Sequence, residues 1–310
     1  MLVSLLFDLS NWTYLFGLLC GFLSGVMNAL GVILEKDAVN RLSAEQRASG
    51  VMKALVRSSR WWAGIACGFG FGTVFLLTAQ QLIGPALVPA LTASSMIVLA
   101  LASTRLLDEH LRPLECLGVL AMLSGMVLLG RLRLDIPAEH VALFAPGLLL
   151  RLTALSLTLG ALWAFVHLAA LRLNGQLRGF LLAVSSGLPF AISNLWILPL
   201  LLTMGAVFAG TANGVQTLLF LLSCLILVGT NIGGVSQTQL AFCHAAASKV
   251  YPLQQMFIQI APLIVYAWVF GYDLSGTRWW LASLGVVLIL FGALSLGRAH
   301  DILQLAGYSA

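Results

Sequence analysis

The chain has 310 residues, of which 60% are hydrophobic and only 9% charged, with a formal net charge of +5. Its mean hydropathy of +0.99 excludes an ordinary soluble domain. Its basic residues fall in loops rather than on one amphipathic face, which excludes a nucleic-acid surface. Apolar runs of roughly 18 residues or more read as membrane-spanning helices, because about 20 residues at a rise of ~1.5 Å cross a ~30 Å hydrocarbon layer.

Residues 1–10 have no basic n-region and carry Asp8, so no cleavable signal peptide is expected and the first span is retained. Spans are predicted at 12–34, 61–82, 85–107, 114–130, 143–170, 179–202, 216–241, 250–271 and 279–296. Trp12, Tyr14, Trp61, Trp62, Tyr272, Trp279 and Trp280 sit at span ends, where amphipathic rings favour the headgroup layer. Gly84-Pro85 predicts a tight hairpin between the second and third spans. The expected class is an all-α polytopic membrane protein with about nine transmembrane helices.

The first loop, residues 35–60, reads as a short amphipathic segment on the membrane surface, with Val39, Leu42, Val51 and Leu55 as its apolar face. Alternating the spans puts twelve Lys and Arg on one side and four on the other, namely Arg131, Arg133, Arg151 and Arg278. The richer side is expected to be cytoplasmic, with the N-terminus outside and the C-terminus inside. Cys20, Cys67, Cys116, Cys224 and Cys243 show no CxxC spacing and read as small packing residues.

The chain repeats itself. Gly118, Gly125 and Gly130 recur with the same spacings as Gly285, Gly292 and Gly297, and each set ends before an arginine. Pro89 matches Pro252 and Thr73 matches Ser236 at one offset, and Ser24-Gly25 matches Ser186-Gly187 at nearly that offset. Five spans separate the two starts, so the second copy is expected to be inverted, an architecture common in secondary transporters. The expected organisation is a first repeat of helices one to four over 1–142, a linking helix over 143–178, and a second, inverted repeat of helices six to nine over 179–310.

The stretch LIGPALVPALTASSMIVLALASTRLLDEHLRPLECLGVLAMLSGMVLLG (82–130) resembles the third and fourth helices of the drug/metabolite transporter (DMT, EamA-like) superfamily. The turn Leu107-Asp108-Glu109-His110-Leu111 is similar to that family's LGERL-type turn. The nine-span count is similar to the NIPA-like magnesium transporter branch. This resemblance implies two inverted five-helix repeats, the second truncated, with its acidic turn reduced to Gly271-Tyr272-Asp273-Leu274. It also implies that the acidic turn is structural, with Arg105 and Arg112 flanking Asp108, Glu109 and Glu115.

No nucleotide motif is present: Gly68-Phe69-Gly70-Phe71-Gly72 lies inside a span, not after a strand. Gly64, Gly68 and Gly72, like Gly17, Gly21 and Gly25, read as small faces that let helix backbones approach. Polar side chains within spans tend to face the protein interior or a wet cavity. The expected substrate-binding set is Asn28, Thr92, Ser95, Asn194, Asn231, Gln237, Gln255, Gln259 and Tyr266. Gln255, Gln259, Pro262 and Tyr266 form one helical stripe, expected to face the Thr92 stripe across a central cavity that is also lined by Phe190, Trp196 and Tyr251. For each of these residues interhelical hydrogen bonding is the competing account. His244 is the candidate for proton coupling, although a purely structural role is the simpler reading for both His244 and His167.

No acid is read well inside any span, and no cofactor, metal-ligand set or catalytic group is expected. A secondary transporter of a small neutral, zwitterionic or amphiphilic organic metabolite ranks first. A magnesium or other divalent-cation transporter ranks second, and a non-transporting receptor or accessory subunit third; an enzyme is not expected. The expected partners are the solute or ion and the lipid bilayer, not nucleic acid, with a homodimer left open. Short loops favour a bacterial inner membrane.

Overall fold

A computed structural model describes residues 12–83, 94–107, 113–131, 146–269 and 277–298. The regular elements among them are all helical: α1 (Trp12–Asn40), α2 (Ala44–Leu55), α3 (Ser59–Ile65), α4 (Thr73–Ile83), α5 (Ser94–Leu106), α6 (Pro113–Arg131), α7 (Pro146–Leu171), α8 (Gly175–Phe208), α9 (Gly214–Phe242), α10 (Ala247–Ile264) and α11 (Thr277–Arg298). A π-helical stretch, Ala66–Gly72, joins α3 to α4, and a second, Val265–Val269, extends α10. Each of the nine predicted spans has a helical counterpart. Thr13–Asn40, Ser59–Ala79, Gly147–Leu171, Gly175–Phe208 and Gly214–Phe242 are long and apolar enough to cross a bilayer.

The outer faces agree with that setting. Phe165, Leu150, Leu225 and Leu218 are each at least 68% exposed. Such large apolar faces are what lipid covers and water does not. The chain is a multi-pass integral membrane protein.

The largest difference from the sequence expectation lies at the end of the first span. α1 runs on to Asn40, six residues past the predicted limit at 34, and carries Glu35 and Lys36 at 6% and 8% exposure. Of the predicted surface segment, part of the apolar face packs on protein, while residues 43–49 are exposed. Val39 belongs to α1, and Val39 and Leu55 are fully buried. α2 itself starts from a capping box in which Ser43 Oγ accepts from the Gln46 N–H and the Gln46 side chain accepts from the Ser43 N–H.

Two compact units emerge: residues 1–135, 246–248 and 281–310, and residues 136–245 and 249–280. In the first, α1 packs along α3, the π stretch, α4 and α5. α11 lies against α6 in the same unit through the two glycine sets of the repeat. A side chain added at Gly125 would run into the Gly285 carbonyl, and one at Gly292 into the Gly118 carbonyl. The contacts are reciprocal, as an antiparallel pair of related helices requires.

In the second unit α8 pairs with α9 and α7. Their shared core holds Leu152, Leu155 and Leu159 of α7, Leu188, Ile192, Leu195 and Trp196 of α8, and Leu219 of α9. α8 has 34 residues, about 51 Å at a rise of ~1.5 Å per residue. Pro189 and Pro199 interrupt its hydrogen bonding. It ends where Gly210 takes φ of 69°, a left-handed conformation that glycine adopts without steric cost. α9 then begins with a capping box from Asn213 and Gln216.

The Gly84-Pro85 hairpin, the Asp108-Glu109 turn and the Gly271–Leu274 turn lie outside the described residues.

Candidate functional site

In the first unit a polar stripe runs down α1. Ser24, Asn28, Gly31 and Glu35 are spaced four, three and four residues apart, which places them on one helix face. That face meets the glycines of the second span. The buried Ser24 hydroxyl donates to the Gly72 carbonyl at 2.8 Å. Asn28 Nδ2 donates to the Ser24 carbonyl at 2.9 Å and lies against Gly72, while its Oδ1 faces Gly68. A Cβ at Gly31 would come within 2.8 Å of the Gly64 carbonyl oxygen. A Cβ at Gly64 would meet Glu35 Cγ at 2.8 Å. The glycine face is therefore a packing face, as its spacing suggested. The π-helical stretch Ala66–Gly72 lies directly against it, and π-helical insertions often mark functional positions in helices.

Glu35 is the residue the sequence reading passed over, having assigned it to a loop. It is a buried carboxylate beside a buried ammonium, Lys36, and both are engaged within the protein. Transferring an ionised carboxylate out of water costs several kcal/mol even after relaxation, so a buried one within a spanning helix is by default a functional candidate. The signal that could have found it is the four-three-four stripe, whose last member is the first charge, Glu35. Just beyond, Asp37 accepts from Arg41 at 3.0 Å and from Arg60 at 2.7 Å. These are exposed pairs, screened by water, and they close the end of the helix hairpin.

The expected substrate-binding residues do not share one setting. Asn231, Gln237 and their neighbours are occupied by interhelical bonds. Asn231 Nδ2 donates to Ser193 Oγ at 2.7 Å and to the Leu227 carbonyl at 2.8 Å. Gln237 Oε1 accepts from Ser185 Oγ at 2.7 Å, and its Nε2 lies 3.0 Å from His167 Nδ1. Gln254 Nε2 donates to Thr238 Oγ1 at 3.0 Å.

Gln255 and Gln259 are different: both are half-buried, and neither side chain makes a hydrogen bond among the described residues. Asn194 is exposed and heads an exposed stripe with Ile197, Leu201, Met204 and Phe208 on α8. Ser95 is buried at 4% exposure and engaged within the protein. Thr92 and the side chain of Tyr266 lie outside the described residues.

His244, the expected proton-coupling group, is half-buried just past the end of α9, its Cβ against Gly179. Of the expected cavity aromatics, Trp196 is a core residue whose Nε1 donates to Ser156 Oγ at 2.9 Å, and Phe190 packs on Gly234.

A helical, multi-pass membrane protein with polar stripes inside its helix pairs is the class that fold and site define. Within that class, residues 12–133 match the family model described as Magnesium transporter NIPA. The chain is similar to that family over this segment, which holds the whole Ser24–Glu35 stripe and its glycine partners. No match was found among the curated proteins or the solved structures. The match reverses the order of the two transport readings, placing the cation ahead of the organic metabolite. It also agrees with a role other than catalysis.

Proposed function

We propose that the protein is a secondary carrier of magnesium or another divalent cation, and that Asn28 and Glu35 are successive stations on its path. The observation that carries this reading is the buried Glu35 carboxylate inside the segment that matches a magnesium transporter family. Magnesium takes oxygen ligands, tolerates one or two carboxylates and gives up its water reluctantly. The stripe offers such oxygens: a carboxylate at Glu35, an amide oxygen at Asn28 and a hydroxyl at Ser24. Asn28 and Glu35 are two turns apart, about 10 Å at ~1.5 Å per residue. That separation suits a cation that keeps part of its hydration shell at each station rather than one stripped and caged. Gln255 and Gln259 in the second unit, half-buried and without a hydrogen bond to the described residues, are a separate candidate contact for a hydrated ion, through its water.

The protein is proposed to work by alternating access between two inverted repeats, in a bacterial inner membrane with the N-terminus outside and the C-terminus cytoplasmic. Twelve of its sixteen Lys and Arg residues fall on the cytoplasmic side of that arrangement.

The test is magnesium entry into proteoliposomes loaded with a magnesium-sensitive dye. Entry well above protein-free vesicles, reduced severalfold by Gln255→Leu, is expected. Entry equal to empty vesicles from a folded preparation, with uptake of a neutral organic solute in its place, would overturn the cation reading.

A further inference from the structure

The second unit holds a titratable chain that the proposed cation path leaves unused. His167 on α7, Gln237 on α9 and Ser185 on α8 are joined by two hydrogen bonds of 3.0 and 2.7 Å. Ser185 is fully buried and Gln237 is 5% exposed, while the imidazole is half-buried. With Gln237 Oε1 taken by the Ser185 hydroxyl, the amide presents its N–H to the ring. In that arrangement the Gln237 Nε2 group donates and His167 Nδ1 accepts.

We propose that His167, Gln237 and Ser185 form a proton-responsive relay that ties the packing of α7, α8 and α9 to pH. Its effect on transport rests on the carrier reading above. One proton enters at Nδ1, and no covalent bond other than that N–H changes. The ring nitrogen turns from acceptor to donor, so two N–H groups would face each other. The amide must turn over, giving Oε1 to the Nδ1–H and Nε2 to the Ser185 oxygen. The Ser185 oxygen then accepts from Nε2, and its O–H, still intact, rotates to donate to another oxygen. The carbonyl of Leu181 stands one turn back, the usual acceptor for a serine inside a helix. A signal received on α7 thus ends as a changed hydrogen bond on α8.

The surroundings leave the amide as the group that answers the new charge. Between residues 146 and 269 there is no Asp or Glu. The charged and titratable side chains on these elements are Arg151 and Arg172 on and after α7, Arg178 on α8, Cys224 on α9, Cys243 and His244 after α9, and Lys249 and Tyr251 on α10. Arg151 donates to the Trp268 carbonyl at the far end of α7. All the charged groups are cationic, so a positive His167 is not trapped in an ion pair and the step stays reversible.

The test uses the whole protein in nanodiscs and in proteoliposomes. With ring-15N histidine and side-chain-15N glutamine, assigned by comparison with His167→Gln and Gln237→Leu, His167 is expected as the Nε2–H tautomer at about pH 8. The Gln237 amide signal is expected to move together with His167 on acidification. Magnesium flux is expected to fall roughly fivefold between about pH 8 and 5.5, and less than about twofold in His167→Gln. A His167 carrying its neutral-state proton on Nδ1, a Gln237 signal that ignores His167, or a native pH profile in His167→Gln would each overturn the relay. If both NMR signatures appear and no magnesium flux is seen at any pH, the relay is supported and the cation reading fails.

Discussion

At the scale of single residues, amides of one type do two different jobs. Gln254 is buried and donates to Thr238, whose hydroxyl donates to the Gly234 carbonyl at 2.9 Å. Gln255, its neighbour in sequence, is half-buried with no such bond among the described residues. Gln254→Leu strands the buried polar contact and is expected to lower stability by about 1–2 kcal/mol, read as a lower midpoint of thermal unfolding in detergent. Gln255→Leu is expected to leave that midpoint within the change of a surface substitution, about 0.5 kcal/mol, while reducing flux. Equal loss of stability in the two variants would mean that Gln255 is also a packing residue. Asn28→Leu belongs to the same class as Gln255→Leu, since its Oδ1 accepts no hydrogen bond from the described residues. It is expected to cut magnesium flux severalfold.

At the scale of elements, hydropathy told where helices lie because a spanning segment must satisfy its backbone internally and cover itself with apolar side chains. It did not tell where α1 ends. The predicted limit fell at the first charge, yet the helix continues because Glu35 packs its methylene stem on Gly64 and Lys36 is also buried. That is a tertiary cause, invisible in a window of the chain. The occupied amides were hidden for the same reason. The partners of Asn231 and Gln237 lie 38, 52 and 70 residues away in sequence.

The glycine sets were legible as a repeat, but their mutual contact was not. Gly125 faces the Gly285 backbone, and Gly292 faces Gly118. Gly125→Val is expected to force α6 and α11 apart and lower stability by about 1–3 kcal/mol, the usual cost of overpacking. The same change at Gly160, which has open space around its Cα, is expected to be close to neutral in the same unfolding assay. A neutral Gly125→Val would contradict the close α6–α11 contact.

At the scale of the whole molecule, the positions that the sequence repeat pairs carry different chemistry. The match of Ser24-Gly25 to Ser186-Gly187, carried forward, sets Asn28 against Phe190 and Glu35 against Ile197. The corresponding helix pair of the second unit puts the Phe190 ring on Gly234, where the first puts the Asn28 amide on Gly72. Fold class could be read from composition and periodicity, and five of the predicted spans have helices long and apolar enough to cross a bilayer. The buried position of Glu35 could not be read that way, since it depends on packing against Gly64 of another helix.

The most direct measurement compares magnesium flux through native protein and Glu35→Gln in proteoliposomes, with thermal unfolding of both as the control for folding. A loss of at least about tenfold in rate, equivalent to ~1.4 kcal/mol, at an unchanged unfolding midpoint is the expected result. Native flux in a folded Glu35→Gln protein would contradict the account, because the buried carboxylate would then have no part in moving the cation.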